Sequence, residues 1–345
     1  MHQYVLNAGS TLKNALEKLN KLSGDLALFV IDSENILLGT ITDGDIRRAI
    51  ISGHDIGDDI TAAINRNCKV ILENKIDPFL IREYKKSQVN LIPIVNERRQ
   101  LISYLNLSKV RTVLPLHAIF MAGGKGERLK PLTNDLPKPM LPLNGKPILD
   151  HNVDRLIHFG VDNIHVSVNF LREKIKDHFG NGSEKGVAIG YIEEDVPLGT
   201  IGSLRLVEDY KYPDLLVMNS DILSNLDLED LYQYYKSNEA DMVVATIGYS
   251  VNVPYAVIET KDHVITALKE KPSYTYLSNA GIYIIRRDCL KFIPANERFD
   301  TTDLIEKLIA EGKKVLSYQI LDYWLDIGRH EDYEKAQQDI HFLKL

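Results

Sequence analysis

The sequence predicts two α/β domains, of which the larger contains a doubly wound sheet. Three observations lead to this prediction: the length of 345 residues, the alternation of short apolar runs with amphipathic stretches, and the longer apolar runs after His117. A chain of this length exceeds one ordinary hydrophobic core, and alternating strands and helices are typical of α/β architectures. We place the domains at residues 1–113 and 117–345, with a proline-containing linker at 112–116.

The first domain contains two similar units. In the first unit, leucines at helical spacing from Leu12 to Leu22 follow Ser10-Thr11, which supplies an N-cap. Strands are predicted at 26–31 and 36–41, and a helix at 43–51 that ends near Gly53. The second unit repeats this order with a strand at 70–72, a helix at 78–86 and strands at 91–95 and 101–105. Recurrence after about 60 residues predicts an internal duplication.

The second domain alternates longer strands with helices. After a buried parallel strand at 118–121, a helix is predicted over 147–159, because Pro147 suits its first turn and Gly160 its end. The other predicted strands are 164–168, 187–192, 215–219, 242–247, 255–259, 264–269 and 281–285, and the other helices are 171–179, 227–236 and 302–311. Ligands of such a sheet bind at the carboxyl ends of its strands.

Composition excludes several classes of protein. The net charge of −7 argues against general affinity for nucleic acid. No apolar run approaches the roughly 20 residues of a membrane span, and the N-terminus lacks the order of a signal peptide. The cysteines, Cys68 and Cys289, match no zinc or redox spacing. We therefore expect a cytoplasmic protein without a membrane or nucleic-acid partner.

A glycine-rich loop follows the apolar run at 118–121. It contains three glycines and two basic residues: Gly123, Gly124, Gly126, Arg128 and, between two prolines, Lys138. Such glycines let backbone N–H groups approach an anion closely, and the basic side chains can neutralise it. No Gly-Lys-Ser/Thr sequence follows, which disfavours a P-loop. The loop predicts polyphosphate binding.

This loop resembles the signature of sugar-1-phosphate nucleotidyltransferases, particularly mannose-1-phosphate guanylyltransferases: Gly-Gly-x-Gly-Thr-Arg-Leu followed by Pro-Lys-Pro. Glu127 replaces the usual Thr or Ser, and we expect its carboxylate to point away from the nucleotide. The resemblance implies a Rossmann-like doubly wound mixed sheet and catalytic roles for Arg128 and Lys138. It also implies transfer of a nucleoside monophosphate to a hexose 1-phosphate, with release of pyrophosphate, for glycan biosynthesis.

Two aspartates match the metal-binding positions of that family. Asp221 follows the apolar run at 215–219, and Asp326 lies in the sequence Trp-Leu-Asp-Ile-Gly at 324–328. Mg²⁺ usually takes one or two carboxylates together with substrate phosphates. The resemblance therefore implies a Mg²⁺ site, although either aspartate alone could be a helix cap or turn residue.

Two further motifs resemble the family's sugar-phosphate site. Glu270-Lys271-Pro272 follows a predicted strand, and Asn279 precedes another. The resemblance implies that Glu270 and Asn279 bind sugar hydroxyls and that Lys271 binds the sugar's phosphate. Mannose 1-phosphate and an amino-sugar phosphate are both admissible substrates. Taken alone, Glu-Lys-Pro is also common on exposed turns.

The segment from Glu193 to Thr200 resembles the part of the family that binds the base. Members that use uracil or thymine tend to place Gln five residues before the glycine, whereas this chain has Glu194 before Gly199. A carboxylate only accepts hydrogen bonds. Guanine offers two adjacent donors, so we favour GTP. UTP or dTTP use and a solvated acidic turn are the alternatives.

The first domain resembles a pair of CBS domains, with Leu38 to Arg47 as the best match. Thr42 and Asp45 fit a Thr-x-x-Asp motif that often holds an adenosine ribose, which implies a regulatory adenine nucleotide. Asn106 takes the aspartate's place in the second unit. The alternatives are a pair that serves packing or dimerisation only, or a non-catalytic adenylate sensor. Since CBS pairs often associate, we expect a homo-oligomer.

Overall fold

The computed structural model describes residues 2–22 and 27–343. These residues form two compact units: one runs to Pro115 and includes His158–Gly160, and the other contains the rest from Leu116 onward. No helix within the described ranges has the length and apolarity to cross a membrane. The predicted strand at 26–31 begins at Ala27, and Leu26 lies outside the described residues.

The first unit contains two three-stranded sheets with the same strand pattern. In each, the first strand runs parallel to the second and the second is antiparallel to the third. This repeated topology matches the predicted duplication. The elements are β1 (Val5–Asn7), α1 (Leu12–Asn20), β2 (Ala27–Ile31), β3 (Leu37–Thr42), α2 (Asp43–Ile51), β4 (Ile71–Leu72), α3 (Pro78–Lys86), β5 (Leu91–Val95) and β6 (Leu101–Asn106).

Local sequence explains where the helices of this unit begin. Thr11 accepts a hydrogen bond from the Asn14 amide and thus caps α1, and Asp77 caps α3 ahead of Pro78. Such caps satisfy amides that have no partner inside the helix. One apolar cluster, which includes Phe29 and Leu101, contains residues of both repeats and joins them into one core.

The second unit is larger and is built around one sheet. Its elements are β7 (Leu116–Met121), β8 (Pro142–Leu143), β9 (Lys146–Pro147), α4 (Ile148–His158), β10 (Asn163–Val168), α5 (Arg172–Phe179), β11 (Ala188–Glu193), β12 (Asp214–Asn219), β13 (Ile222–Ser224), α6 (Leu228–Ser237), β14 (Met242–Asn252), β15 (Val257–Lys261), β16 (Val264–Lys269), β17 (Ser273–Arg286), α7 (Thr301–Ala310), β18 (Val315–Gln319), β19 (Trp324–Asp326) and α8 (His330–Asp339).

The central sheet has seven strands in the order β11-β10-β7-β12-β17-β14-β18. Strands β11, β10, β7 and β12 are parallel, β17 is antiparallel to both of its neighbours, and β18 is parallel to β14. The first strand of the unit, β7, therefore lies inside the sheet, with β10 and β12 on its two sides. The expected mixed, doubly wound sheet is confirmed, and the residues that follow β7, β10 and β12 meet at one edge.

Several details differ from the prediction. The structure also contains β13, β18, β19 and α8, which were not predicted, and the strand predicted at 255–259 lies at 257–261. Helix α4 begins at Ile148, because Pro147 pairs with Pro142 in a two-stranded ladder instead of occupying the first helical turn. Strands β14 and β17 are longer than predicted and remain paired from Asn252 and Ser273 inward. Their outer parts are mostly exposed and lack the buried pattern that marks a core strand.

Candidate active site

A cavity of about 680 Å³ lies at the carboxyl ends of β7, β10 and β12. Because these parallel strands are neighbours, the loops that follow them converge there. Its lining contains Met121, Ala122, Gly123, Gly124, Lys138, Pro139, Asn169, Glu194, Pro197, Gly199, Thr200, Asn219, Ser220, Asp221, Arg298 and Asp300. Among the predicted site residues, the structure brings Gly123, Gly124, Lys138, Glu194, Gly199 and Asp221 together in this wall.

A smaller recess of about 260 Å³ shares Gly124, Lys138 and Asp221 with the cavity. Gly126, Glu127, Arg128 and Gly328 complete its lining. The glycine-rich loop thus borders both spaces. Glu127 forms an ion pair with Lys130 at 2.7 Å, and this contact is the main reason why the pKa of Glu127 is lowered.

Gly126 has a backbone conformation that favours glycine, with φ of +63°. A Cβ atom there would lie 3.0 Å from Thr133 Cγ2 and 3.1 Å from Lys138 Cβ. The Thr133 hydroxyl donates a 2.8 Å hydrogen bond to the Gly126 carbonyl. Loop conformation and the position of Lys138 are therefore coupled through this glycine.

The two predicted metal-binding aspartates lie close together because of strand pairing. Asp221 immediately precedes β13, and Asp326 pairs with Ile222, the first residue of β13. The Lys138 ammonium forms an ion pair with the Asp221 carboxylate and lies 3.8 Å from Asp326 Oδ1. One lysine from the Pro-Lys-Pro motif thus contacts both acids.

The surroundings of the Asp326 carboxyl group change its pKa. Its pKa is raised first by desolvation and then by the neighbouring Asp221 carboxylate, while Lys138 and Arg128 act in the opposite direction. The carboxylate pair would repel itself without nearby positive charge. This arrangement favours a cation between the two acids.

The Glu194 side chain is buried in the cavity wall, with 5% of its surface exposed. One carboxylate oxygen accepts a hydrogen bond from the Ser167 hydroxyl, and the other accepts one from the Leu198 amide at 2.9 Å. The Asn169 side chain donates to the Glu194 carbonyl at 2.6 Å. The carboxylate is thus held in one orientation, and each oxygen retains a lone pair.

The predicted sugar-phosphate residues are not in the cavity lining. Asn279 accepts a hydrogen bond from the Gly281 amide at 2.9 Å, and Gly281 packs against Asn219, which does line the cavity. Glu270 and Lys271 are exposed in the turn between β16 and β17. Their assignment to sugar phosphate stays a prediction.

Thr42 and Asp45 lie at the start of α2 in the first unit. They form a capping box, in which Asp45 accepts from the Thr42 amide and hydroxyl at 2.8 and 2.6 Å and pairs with Arg48 at 2.5 Å. Thr42 also lines a separate cavity of about 440 Å³, together with residues such as Asn65 and Asn67. The hydrogen-bonding capacity of Asp45 is largely used within the helix cap.

Several residues that line the cavity were not predicted from the sequence. Asn169 comes directly after β10, and Asp221 comes two residues after β12. Because ligands of a doubly wound sheet bind at the carboxyl ends of its strands, Asn169 could have been predicted from the sequence. Arg298 and Asp300 reach the cavity from the segment before α7, and Asp300 accepts from the Thr200 amide at 2.9 Å across 100 residues of chain. Contacts of that separation leave no local pattern.

The family assignment follows from comparison with known sequences. The model of the Nucleotidyl transferase family matches residues 117–342, and the model of the CBS domain matches residues 2–52. The chain belongs to the nucleotidyl transferase family and carries a CBS domain at its N-terminus. Members of this family generally use a divalent metal such as Mg²⁺.

Curated relatives differ in the nucleotide that their names specify. A mannose-1-phosphate guanylyltransferase from Mycobacterium tuberculosis is 32% identical over 65% of this chain and 64% of its own length. A D-glycero-alpha-D-manno-heptose 1-phosphate guanylyltransferase from Aneurinibacillus thermoaerophilus is 31% identical over 66% of this chain and its full length. A UTP--glucose-1-phosphate uridylyltransferase from Synechocystis is 31% identical over 64% and 62%. The chain therefore spans less than two thirds of some of these relatives.

Solved structures share the fold of the second unit. HddC from Yersinia pseudotuberculosis superposes with a TM-score of 0.51 at 25% identity, covering 65% of this chain and 99% of that one. A Bacillus anthracis protein described as a putative glucose-1-phosphate thymidylyltransferase gives a TM-score of 0.54 at 21% identity, with coverage of 67% and 97%. The latter likeness concerns the fold alone.

The residues present fit a divalent cation. Within residues 2–22 and 27–343, no group of three or more His, Cys, Asp or Glu side chains is arranged to hold a metal. Two carboxylates that share one lysine suit an ion that takes its other ligands from phosphates and water, as Mg²⁺ does. Asp221 and Asp326 are the side chains that would hold it.

Proposed function

We propose that this protein transfers GMP from GTP to a hexose 1-phosphate, giving a nucleotide sugar and pyrophosphate. Its membership of the nucleotidyl transferase family supports the class of reaction. The lining of the cavity at the sheet edge includes Gly123 and Gly124 of the glycine-rich loop and the buried Glu194. We assign the loop to the triphosphate and Glu194 to the base.

Glu194 is the observation that carries the choice of GTP. The Ser167 and Leu198 donors already hold one lone pair of each carboxylate oxygen, so the side chain can offer only acceptors to a ligand. The guanine edge presents the N1–H and 2-amino donors side by side. Uracil and thymine present one donor between two acceptors, which a carboxylate would repel. The relative named as a uridylyltransferase makes UTP the second candidate.

The chemistry requires positioning and charge neutralisation. The oxygen of the sugar phosphate is ionised near neutral pH and would attack the α-phosphorus in line, breaking the bond to pyrophosphate without a general base. Arg128 and Lys138 would stabilise the triphosphate. A Mg²⁺ ion held by Asp221 and Asp326 would offset the repulsion between the two anions when bound. Lys271 would hold the sugar phosphate, with Glu270 and Asn279 on its hydroxyls.

A substrate screen tests this proposal. The four triphosphates are combined with mannose, glucosamine, glucose and heptose 1-phosphates, and pyrophosphate release is measured for the wild type, Glu194→Gln and Glu193→Gln. Glu193 is a matched control, because its carboxylate lies outside the cavity lining and pairs with Lys176 at 2.8 Å. We expect GTP use by the wild type and by Glu193→Gln.

Glu194→Gln should lower kcat/KM for GTP relative to UTP by at least about tenfold. The amide would lose one of the two hydrogen bonds that the carboxylate accepts from the guanine N1–H and 2-amino groups. Unchanged discrimination in Glu194→Gln would contradict the role of this carboxylate. If the wild type prefers UTP or dTTP, that triphosphate replaces GTP as the proposed substrate, and the proposed nucleotidyl transfer reaction is unchanged. No pyrophosphate release with any pair would favour a non-catalytic sensor instead.

For the first unit we propose a regulatory role through an adenine nucleotide. The 440 Å³ cavity bordered by Thr42 is its candidate site, and the CBS family match supports it. Calorimetry with AMP and ATP, together with turnover measured in their presence, tests this role. Absence of both binding and any change in turnover would leave a packing function.

A further inference from the structure

Ser167 is a polar residue in the core of the second unit. It lies near the end of β10 between Val166 and Val168, and its side chain is fully buried. Burying a hydroxyl group is unfavourable unless it forms hydrogen bonds. A small apolar residue would fill this position without that cost, so the significance of Ser167 lies in the contacts of its hydroxyl group.

The Ser167 hydroxyl lies within hydrogen-bonding distance of two buried acceptors. One is Oε1 of Glu194, and the other is the hydroxyl oxygen of Ser203 at 3.1 Å. Ser203 is also fully buried and belongs to the short helical turn at Gly202–Leu206. Ser167 therefore connects the carboxylate in the cavity wall with a second hydroxyl group inside the core.

These two acceptors compete for one proton. A serine hydroxyl donates one hydrogen bond and can accept two. With a carboxylate at position 194, the proton goes to Glu194, because a charged acceptor forms the stronger bond. If the side chain at position 194 presented an N–H group instead, the Ser167 proton would turn to Ser203, and the Ser167 oxygen would accept. Ser167 can thus hold either kind of group.

The second oxygen of Glu194 has a partner that cannot change in this way. The Leu198 amide donates to Oε2 at 2.9 Å, and a backbone N–H group only donates. A glutamine at position 194 would therefore place its oxygen at Leu198 and its nitrogen at Ser167. Leu198 fixes the orientation, and Ser167 supplies the partner for the atom that results.

The Oε1 position also borders the cavity. Gly123 lines the cavity, and a Cβ atom on Gly123 would lie 3.5 Å from Oε1 of Glu194. A carboxylate presents two acceptors there, which match the two adjacent donors of guanine. A glutamine held by Leu198 and Ser167 would present one acceptor and one donor, which match a carbonyl oxygen and the neighbouring N–H group of uracil.

We infer that Ser167 is a positioning residue that determines the base specificity of this site by holding the side chain at position 194. The inference rests on the proposed contact between Glu194 and the base. Ser167 itself does not line the cavity, so it acts through Glu194 and not by touching the nucleotide.

A set of serine and glutamate variants tests this inference. We measure kcat and KM for GTP and UTP, using the hexose 1-phosphate with the highest turnover in the substrate screen. Ser167→Ala should raise the KM for GTP by about tenfold with little change in kcat, because the carboxylate loses one of its two donors. The KM for UTP should not rise, so the GTP:UTP ratio of kcat/KM should fall.

The glutamine background tests the second role of the hydroxyl group. Glu194→Gln should shift the GTP:UTP ratio toward UTP, and adding Ser167→Ala should lower kcat/KM for UTP by about tenfold, because the amide nitrogen loses its acceptor. Adding Ser203→Ala should lower UTP use in the same direction, because the Ser167 proton then has no acceptor.

Ser224→Ala is the matched control. Ser224 is also buried in the second unit, its hydroxyl oxygen accepts from the Leu226 amide, and it does not line the cavity. This variant should keep the wild-type ratio. Thermal unfolding is measured for every variant. Ser167→Cys fills the same space with a weak donor and should repeat the loss of GTP use if Ser167→Ala does not fold.

Two results would overturn the inference alone. One is a wild-type GTP:UTP ratio in both Ser167 variants although Glu194→Gln changes that ratio, and the other is undiminished UTP use by the Ser167→Ala/Glu194→Gln variant. A Glu194→Gln variant with an unchanged ratio would instead contradict the proposed contact with the base, and the inference would fail with it.

Discussion

Gly126 provides a quantitative test of how the loop supports the site. Substitution by alanine has two consequences in the structure. The residue must adopt φ of +63° with a Cβ atom, and that atom must fit 3.0 Å from Thr133 and 3.1 Å from Lys138. The first consequence concerns the backbone only, whereas the second moves the lysine that contacts both acids.

The magnitude of each consequence can be estimated. An L-residue in the left-handed region costs about 1–2 kcal/mol, which for a unit of this size lowers the melting temperature by roughly 2–8 °C. Contacts at 3.0–3.1 Å require the neighbours to shift by a few tenths of an ångström. Misplacement by about 1 Å can cost 10²-fold in rate, so a smaller shift of Lys138 should lower kcat/KM by about tenfold.

Two other glycines separate these effects. Gly145 has φ of +79° and open space around its Cβ position, so Gly145→Ala carries the backbone cost alone. Gly124 has open space and no positive φ but borders the cavity and the recess, so Gly124→Ala should keep stability and raise the KM for the triphosphate. Unfolding curves and steady-state kinetics are measured on all three variants.

The reasoning would be refuted by either of two results. One is a Gly126→Ala variant whose kcat/KM equals that of Gly145→Ala, since Lys138 would then be insensitive to the contact. The other is a Gly124→Ala variant with an unchanged KM, since the loop would then not border bound phosphate.

Three further predictions concern charge. Asp221→Asn should lower turnover by roughly 10²–10³, and chelation of divalent metal should abolish turnover and be reversed by Mg²⁺; full turnover in either case would contradict the metal assignment. Because the pKa of Asp326 is raised, the Mg²⁺ concentration for half-maximal activity should rise as pH falls toward that pKa, and a pH-independent value would exclude this. Burial of the His117 ring, and secondly its interaction with His165, lower the pKa of His117 to about 4. The folded protein therefore holds this ring neutral, which costs no stability above the unfolded pKa of about 6.5. Stability is lost as pH falls from 6.5 toward 4, and urea unfolding should give about 2 kcal/mol less at pH 5 than at pH 7; equal values would show that the pair is not buried neutral.

Much of the fold could be predicted because its signals are local. Helix α3 begins and ends as predicted, since Asp77 and Pro78 define its start within two residues. Helix α2 agrees for the same reason, with Thr42 as its cap. The outer parts of β14 and β17 were missed because they are not held by a buried face. A periodic pattern of apolar residues marks a strand only where one face of the strand is buried, and the outer ribbon of β14 and β17 has no buried face.

The candidate site could be predicted only in part, for a related reason. Residues next to a strand's carboxyl end, such as Asp221, follow from the topology of a doubly wound sheet. The partners of Glu194 depend on which strands become neighbours, and Ser167 reaches it only because β10 pairs with β11. Asp300 lies in the cavity wall through a contact with Thr200 across 100 residues, which leaves no local pattern in a single sequence.

The acid pair shows how topology replaces a sequence motif. Asp221 and Asp326 are separated by more than 100 residues in the sequence. They lie close together because three residues of β13 pair with three residues of β19. That short ladder brings two like charges together, which is unfavourable unless a cation is present. Lys138 contacts both carboxylates, and Arg128 lies near enough to lower the pKa of Asp326, so two basic side chains face the two acids. A divalent ion that arrived with a polyphosphate would take over the contact with both acids, and Lys138 and Arg128 would then be free to contact the phosphates.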